Sequence, residues 1–327
     1  MRSILTSILM AAAFTSAAQH QLPGKVHLGI VYPLSTNGTH APLDTNNLSI
    51  HLFAGVSAEE QGPSFAGFSN VVRGNANGAQ FAGFSNHIGK KANGGLFAGF
   101  LNTSGGGDHA AFAGFGNVAT GDMKGLQVAG FVNTARDVNG SQIAGFINVA
   151  RKVKGAQIAG FVNIADSSDC PIGIINIIRQ GEKSVGLTID ENQTLMAGFR
   201  SGGKVMYGII GLGYNFKNDD AVYAFEAGLG AHLLRTPVFR LNTELVSGML
   251  EDFEEGEYFK ASFRVMPAVK IGQSIELFAG PALHFISTDT AEGVNLTKRY
   301  LKEWNGDWDE DFRALYLGYT AGLHIRF

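Results

Sequence analysis

The sequence predicts an all-β protein, an antiparallel meander closed into a transmembrane β-barrel of about 16–18 strands. The first reason is composition: charged residues are only 16 % of the 327 and Gly is 44 of them, where a soluble globular chain carries about a quarter charged residues. Much of the surface is therefore expected not to meet bulk water. The second is a near-uncharged repeat through the middle of the chain. The third is a C-terminal third made of long alternating segments that end in aromatic residues.

Four segments follow in order: 1–18, a secretory signal; 19–63, N-terminal strands and a linker; 64–178, the repeats; and 179–327, C-terminal barrel strands. In the first, Arg2 supplies a positive start, Ile4 to Ala13 an apolar run, and Ser16-Ala17-Ala18 the small residues before a cleavage expected at Gln19. That run is too short for a membrane-spanning helix, which needs about 18 apolar residues or more. An exported chain that crosses a membrane without helices must cross as a closed barrel, because only helices and barrels satisfy every backbone group in lipid. The expected location is the outer membrane of a Gram-negative cell. The formal net charge of −3 offers no basic field for nucleic acid.

The repeat is an aromatic or aliphatic residue, Ala-Gly-Phe, a variable residue and Asn. It begins at Phe65, Phe81, Phe97, Phe112, Val128, Ile143 and Ile158, and the Asn recurs at 70, 86, 102, 117, 133, 148 and 163. A degenerate copy closes at Asn176. Gly-rich and Asn-Gly segments between the copies read as turns. Two architectures suit this period. In the meander each unit is one strand of about ten residues, long enough to cross hydrocarbon. In the alternative, 64–178 is a β-solenoid with stacked Asn and Phe columns, joined to a smaller C-terminal β-barrel. A solenoid in water needs a polar outer face, and the later units are apolar on one face and mostly apolar on the other. That polarity favours the meander.

After Asn176 the strands read as 204–216, 221–234, 238–250, 258–272, 275–287 and 312–327. Pro267 and Pro281 each remove a ladder donor, so each is expected at a bulge or at a local loss of pairing. Counting back from Phe327, the long connections 251–257 and 288–311 fall on one side. Three short ones, 201–203, 235–237 and 273–274, fall on the other, as outward loops and periplasmic turns do, while 218–220 falls on the outer side but is short. The terminal Phe327 is the expected contact of the barrel assembly machinery, with membrane lipid and lipopolysaccharide as the other partners.

The strings GSQIAGFINVA and GAQIAGFVNIA resemble the leptospiral-type surface-repeat-containing family. The stretch CPIGIINIIRQGEKSVGLTIDENQTLMAGFRSGG, followed by YGIIGLGYNF, resembles the segment after the repeats in its Bacteroidetes-type members. The resemblance spans roughly residues 26–327. It implies a surface or outer-membrane location and carries no active site. Many members have Ile-Gly where this chain has Ala-Gly-Phe.

No catalytic constellation is legible, so no enzymatic activity and no cofactor are expected. His284 and Ser287 sit near the outer end of a strand without an acid or an oxyanion-forming motif. Asp307, Asp309 and Asp311 alternate as calcium ligands can, but lack the Gly and Glu of a helix–loop–helix calcium site. They are a weak candidate for an outer cation contact. Cys170 is the sole cysteine and reads as a small packed residue. The expected function is structural or channel-forming, with surface recognition through the repeats or the outer loops as the alternative.

Overall fold

A computed structural model describes residues 25–253, 257–305 and 311–327. The signal segment 1–18 and two of the candidate cation contacts, Asp307 and Asp309, lie outside the described residues. The chain is all-β. It forms a parallel β-solenoid of about 9 turns and a closed eight-stranded antiparallel barrel. Two compact units divide it, Met1–Lys124 and Gly125–Phe327.

In the first unit Val26–Val31 lies parallel to Leu48–Ser57 and begins the stack. The repeats then pair in register and in parallel: Phe65, Phe81, Phe97 and Phe112 are successive Cα partners, as are Asn70, Asn86, Asn102 and Asn117. Each repeat is thus a coil, with one short strand before the Gly-Phe corner and another after it. The Asn side chain explains why. Asn86 Nδ2 donates to Phe97 O and to Asn102 Oδ1, both at 2.9 Å. One amide therefore satisfies a backbone carbonyl on the neighbouring coil and extends a chain of side-chain amides along the axis. Apolar packing fills the other side of the coil with Val72, Ile88 and Leu96.

The second unit holds the later coils and the barrel. Val132–Thr134, Ile147–Val149, Val162–Ala165 and Ile175–Ile178 stack in parallel. A glutamine ladder joins the asparagines here, with Gln142 Nε2 donating to Gln127 Oε1 at 2.8 Å and Gln157 Nε2 to Gln142 Oε1 at 3.0 Å. Each coil has three straight runs. Corners fall at Gly145-Phe146, at Ala150-Arg151 and at Gly155, whose φ of +132° lies where side chains are strained. A Cβ there would also collide with the carbonyl of Gly140 one coil earlier.

The antiparallel meander is therefore corrected to a parallel solenoid, and the barrel of 16–18 strands to one of eight. The alternation read through Gln157 to Ala165 assumed a straight strand. The chain bends at Gly160-Phe161, so Ala159 is buried while Phe161, two residues on, is 39 % exposed. The interior column is Gln157, Ala159, Asn163 and Ala165, and the larger apolar residues point out.

The barrel strands are β1 (Glu182–Asp190), β2 (Thr194–Gly202), β3 (Met206–Asn215), β4 (Tyr223–Arg235), β5 (Phe239–Glu251), β6 (Tyr258–Ile271), β7 (Ile275–Thr288) and β8 (Phe312–Arg326). Consecutive strands pair antiparallel, and β1 closes on β8 through Ser184↔Arg326 to Asp190↔Thr320. No sheet edge remains open there. The last six strands match the segments read from alternation within two residues. The first two, β1 and β2, lie in sequence not read as strands. Between β6 and β7 the ladder lapses from Arg264↔Ala282 to Ala268↔Phe278, the stretch that holds Pro267 and Pro281. The long connections leave one end, called here the outer end. The one between β7 and β8 carries a short helix, Ala291–Asn295, capped by Thr290 Oγ1, and a strand, Lys302–Asn305, paired to β8.

The last coil ends on the barrel. Asn176 N donates to Ser201 Oγ at 3.0 Å and its side chain donates to Ser201 O at 3.1 Å. A Cβ on Gly208 of β3 would strike the Ile174 carbonyl. Ser201 and Gly208 occupy outward positions in the wall, near the end opposite the long connections. The Asn ladder runs along the coil axis, so the axis meets the wall from its side.

Candidate functional site in the barrel lumen

Alternation sorts the barrel side chains into two opposite populations. Outward positions are apolar: Leu187, Leu212, Leu245, Phe263, Leu283 and Leu317 are all at least 40 % exposed. The outward charged residues of the strands, Lys183, Glu251 and Arg313, stand at strand ends. Inward positions hold the ions. Glycines at inward positions 186, 198, 211, 228 and 230 leave them room, since a Cβ at Gly211 would press on Glu226 and one at Gly230 on the Tyr207 ring.

The ions pair in three tiers. At mid-height Arg200 grips Glu244 with two bonds, Nε to Oε1 at 2.7 Å and Nη2 to Oε2 at 3.1 Å. Tyr207 donates to the same carboxylate at 3.1 Å. Arg264 Nη2 donates to Glu226 Oε2 at 2.8 Å and stands 3.6 Å from Glu244. Nearer the solenoid, Arg240 bridges Glu182 and Glu276, and Asn242 donates to Glu276 at 2.9 Å. Towards the outer end Lys260 pairs with Asp190. Tyr316 donates to Glu191 at 3.0 Å, and Asn192 ties Tyr316 to Thr297 of the long connection. Each charge has an opposite within reach, which is what makes burial of so many ions tolerable.

Two small cavities lie among the tiers. One cavity of about 30 Å³ touches Glu226, Lys260, Ser262 and Arg264, and one of about 20 Å³ touches Glu182, Arg200, Tyr207 and His232. Each has room for about one or two water molecules. The first would serve Glu226 Oε1 and Arg264 Nε, which have no protein partner.

His284 and Ser287 do not meet, because they are three apart on one strand and face opposite sides of the wall. His284 meets Ser262 instead, with Oγ 2.7 Å from Nδ1, and its Nε2 lies 3.5 Å from Glu191 Oε2. That is a serine, a histidine and an acid in a row. Ser262 is 2 % exposed, and the adjacent cavity takes water only, so an acyl carbonyl has no place beside Oγ. The trio reads as part of the ion packing. Asp311 lies 3.9 Å from Arg313. Among the described residues no group of three or more His, Cys, Asp or Glu is placed to hold a metal. Cys170 is half-buried and free.

The solenoid has a second polar cluster at its start. His27 and His51 face each other, Nε2 to Nε2 at 3.4 Å, and Ser49 Oγ and Asn46 Nδ2 both reach Glu60 Oε1, at 2.7 and 3.3 Å. Burial holds His51 down to about 4, assisted by the nearby His27, and burial raises the Glu60 carboxyl against the lowering hydrogen bonds of Ser49, Ser57 and Asn46.

Sequence reasoning missed both polar sets. The barrel set had a signal: Arg200, Glu226, Glu244 and Arg264 each fall within an otherwise largely apolar strand, on the phase opposite its outward leucines and phenylalanines. The solenoid cluster had none, because Val26–Val31 and Leu48–Ser57 lie outside the regular repeat. No family model, no curated protein and no solved structure matches this chain.

Proposed function

We propose that the protein is an outer-membrane barrel of the structural type, a non-conducting anchor that holds a β-solenoid at the membrane. The observation that carries this reading is the inverted polarity of the barrel, with paired ions inside and an aliphatic and aromatic wall outside. A barrel folded for water would expose its charges and bury its leucines. The wall also has two shallow apolar grooves of about 490 and 370 Å³, the larger floored by Gly186, Gly198 and Gly211 between Leu187, Phe199 and Leu212. Such grooves suit acyl chains and leave water without partners. The resemblance of the repeats to a surface family supports an outer-membrane address. Filled tiers of ion pairs support anchoring over conduction.

Two measurements test it together. Protein refolded into phospholipid vesicles should stay with the lipid through carbonate extraction, and the same protein in planar bilayers should give no stepwise conductance. A chain that is soluble and monomeric in plain buffer would sink the membrane reading, and regular conductance steps would sink the anchor form of it. Surface recognition through the outer end is the second reading. It is favoured by the built character of the β7–β8 connection, with its capped helix and its added strand.

A further inference from the structure

The coils of the second unit present three sides of unlike chemistry. One side carries Asp137, Asn139, Lys152 and Lys154, and the adjoining corner carries Arg151, which is paired to Asp137. The other two sides and the corner between them carry no charge. Phe131, Phe146 and Phe161 stack along that corner at ring distances of 4.9 and 5.2 Å and stay about two-fifths exposed. Ile143 and Ile158 flank them on one side, and Ile147, Val149, Val162 and Ile164 on the other.

A stacked aromatic column in water is a large apolar patch with nothing covering it. Its place in the fold indicates what covers it. The coil axis meets the barrel wall from the side, at Ser201 and Gly208, close to the end away from the long connections. Those outward positions continue upward into Phe199 and Ile210 of the lipid-facing wall. The Gly173-Ile174 corner, which continues the Phe161 corner, sits over Gly208, while Asp169 and Pro171 sit over Gly203 in the turn, so the coils leave the barrel sideways at one rim of the apolar belt with that corner on the belt side.

We propose that the Phe131–Phe146–Phe161 corner lies in the lipid interface, with the lysine side turned to water. The inference rests on the membrane reading of the barrel and adds a second lipid contact to it. A bilayer fits this corner better than a protein groove does, for two reasons. The corner is repetitive, with no polar group to fix a partner's register. It is also continuous with a surface already assigned to lipid. Phe at the headgroup boundary opposite a cationic side is the pattern of elements that lie in an interface.

The test uses the full chain with Trp304 and Trp308 replaced by Phe, so that each variant holds one reporter. Phe146→Trp and Phe161→Trp place it on the corner, Lys154→Trp on the opposite side and Leu245→Trp in the barrel wall. Each is reconstituted in phosphatidylcholine vesicles brominated near the ester end of one acyl chain. The expected result is loss of emission and a blue shift at 146, 161 and 245. At 154 the emission should stay and be quenched by aqueous acrylamide. Quenching by lipid at 245 but not at 146 and 161 overturns the inference and leaves the membrane reading standing. No quenching at 245 overturns the reading beneath it. Shielding of 146 and 161 from both quenchers means that a second copy covers the corner, and equal lipid quenching at 154 means that the coil has no preferred side; either overturns the proposal. All four positions are on the surface. Far-ultraviolet circular dichroism supplies a folding control, because each variant must keep the parent's β signal.

Discussion

Asn148 shows how much a single side chain does in the solenoid. It is fully buried, and its Nδ2 donates to Ile158 O at 2.7 Å and to Asn163 Oδ1 at 3.0 Å, while its own oxygen accepts from Asn133 at 3.0 Å. Asn148→Ala leaves a buried carbonyl and two buried amides short of a partner, a loss of about 3 kcal/mol. Asn139, exposed on the charged side, should be replaceable within about 0.5 kcal/mol. Amide hydrogen exchange across 141–165 checks both; equal protection in the two variants would mean that the amide ladder is not what holds the coils. The histidine pair at the start of the solenoid makes a pH prediction. The folded values of His27 and His51 are lowered, by burial first in each case; Lys25 adds to this at His27 and His27 adds to it at His51, while Asp44 acts in the raising direction on His27. A lowered pKa contributes stability that is present above the ordinary histidine value of 6.5 and is lost as pH falls towards about 4. Glu60 runs the other way, since its raised value favours the folded form in acid. Protection of residues 26–60, corrected for intrinsic exchange, should therefore fall between pH 6.5 and 4 and fall less in His51→Gln. Protection that rises on acidification would show that Glu60 dominates the cluster.

At the scale of the element the coil is the unit of stability, because each one contacts mainly its neighbours. Removing residues 138–152 deletes one complete coil and rejoins Asp137 to Val153, which occupies the next coil's place in the same register. The shortened chain should keep its β signal in far-ultraviolet circular dichroism and an unchanged barrel. A chain that fails to fold would show that the coils are not interchangeable. The coil also marks where sequence reading stopped. The strands β3 to β8 were legible because one strand is one alternating run, and charges on the inward phase could have revealed the lumen as well. The solenoid was harder. Ten apolar residues fit a membrane strand and a bent coil equally, and parallel against antiparallel pairing leaves no trace in strand length. The clue was the near-constant spacing of Asn 70, 86, 102 and 117, at 16, 16 and 15 residues. Such an alignment matters only when like residues sit on like, as in a parallel stack. The polarity argument saw correctly that the outer face is apolar. It erred in assuming that an apolar face must belong to a barrel strand.

For the whole molecule the decisive question is sidedness, which on the proposed outer-membrane reading follows from the unequal connections at the two ends of the barrel. The connections after β5 and β7 are long, and those after β2, β4 and β6 are short. The C-terminus at Phe327 emerges at the short-turn end, and so does the last coil, since Ser201 is opposite Gly208 just before the turn into β3. An outer-membrane barrel, which is the proposed reading, inserts with its short turns in the periplasm. On that proposal the last coils would lie on the periplasmic side and the acidic outer connections would face the exterior. This separates the two halves of the recognition reading, because only the outer loops would then meet the environment. On intact cells an added protease should cut between Glu251 and Tyr258 or between Thr288 and Phe312. The segment 125–178 should survive until the outer membrane is opened. An epitope inserted at Lys152–Lys154 makes the same distinction by antibody labelling: signal only after permeabilisation is expected. Labelling of untreated cells would reverse the orientation and make the solenoid the exposed surface.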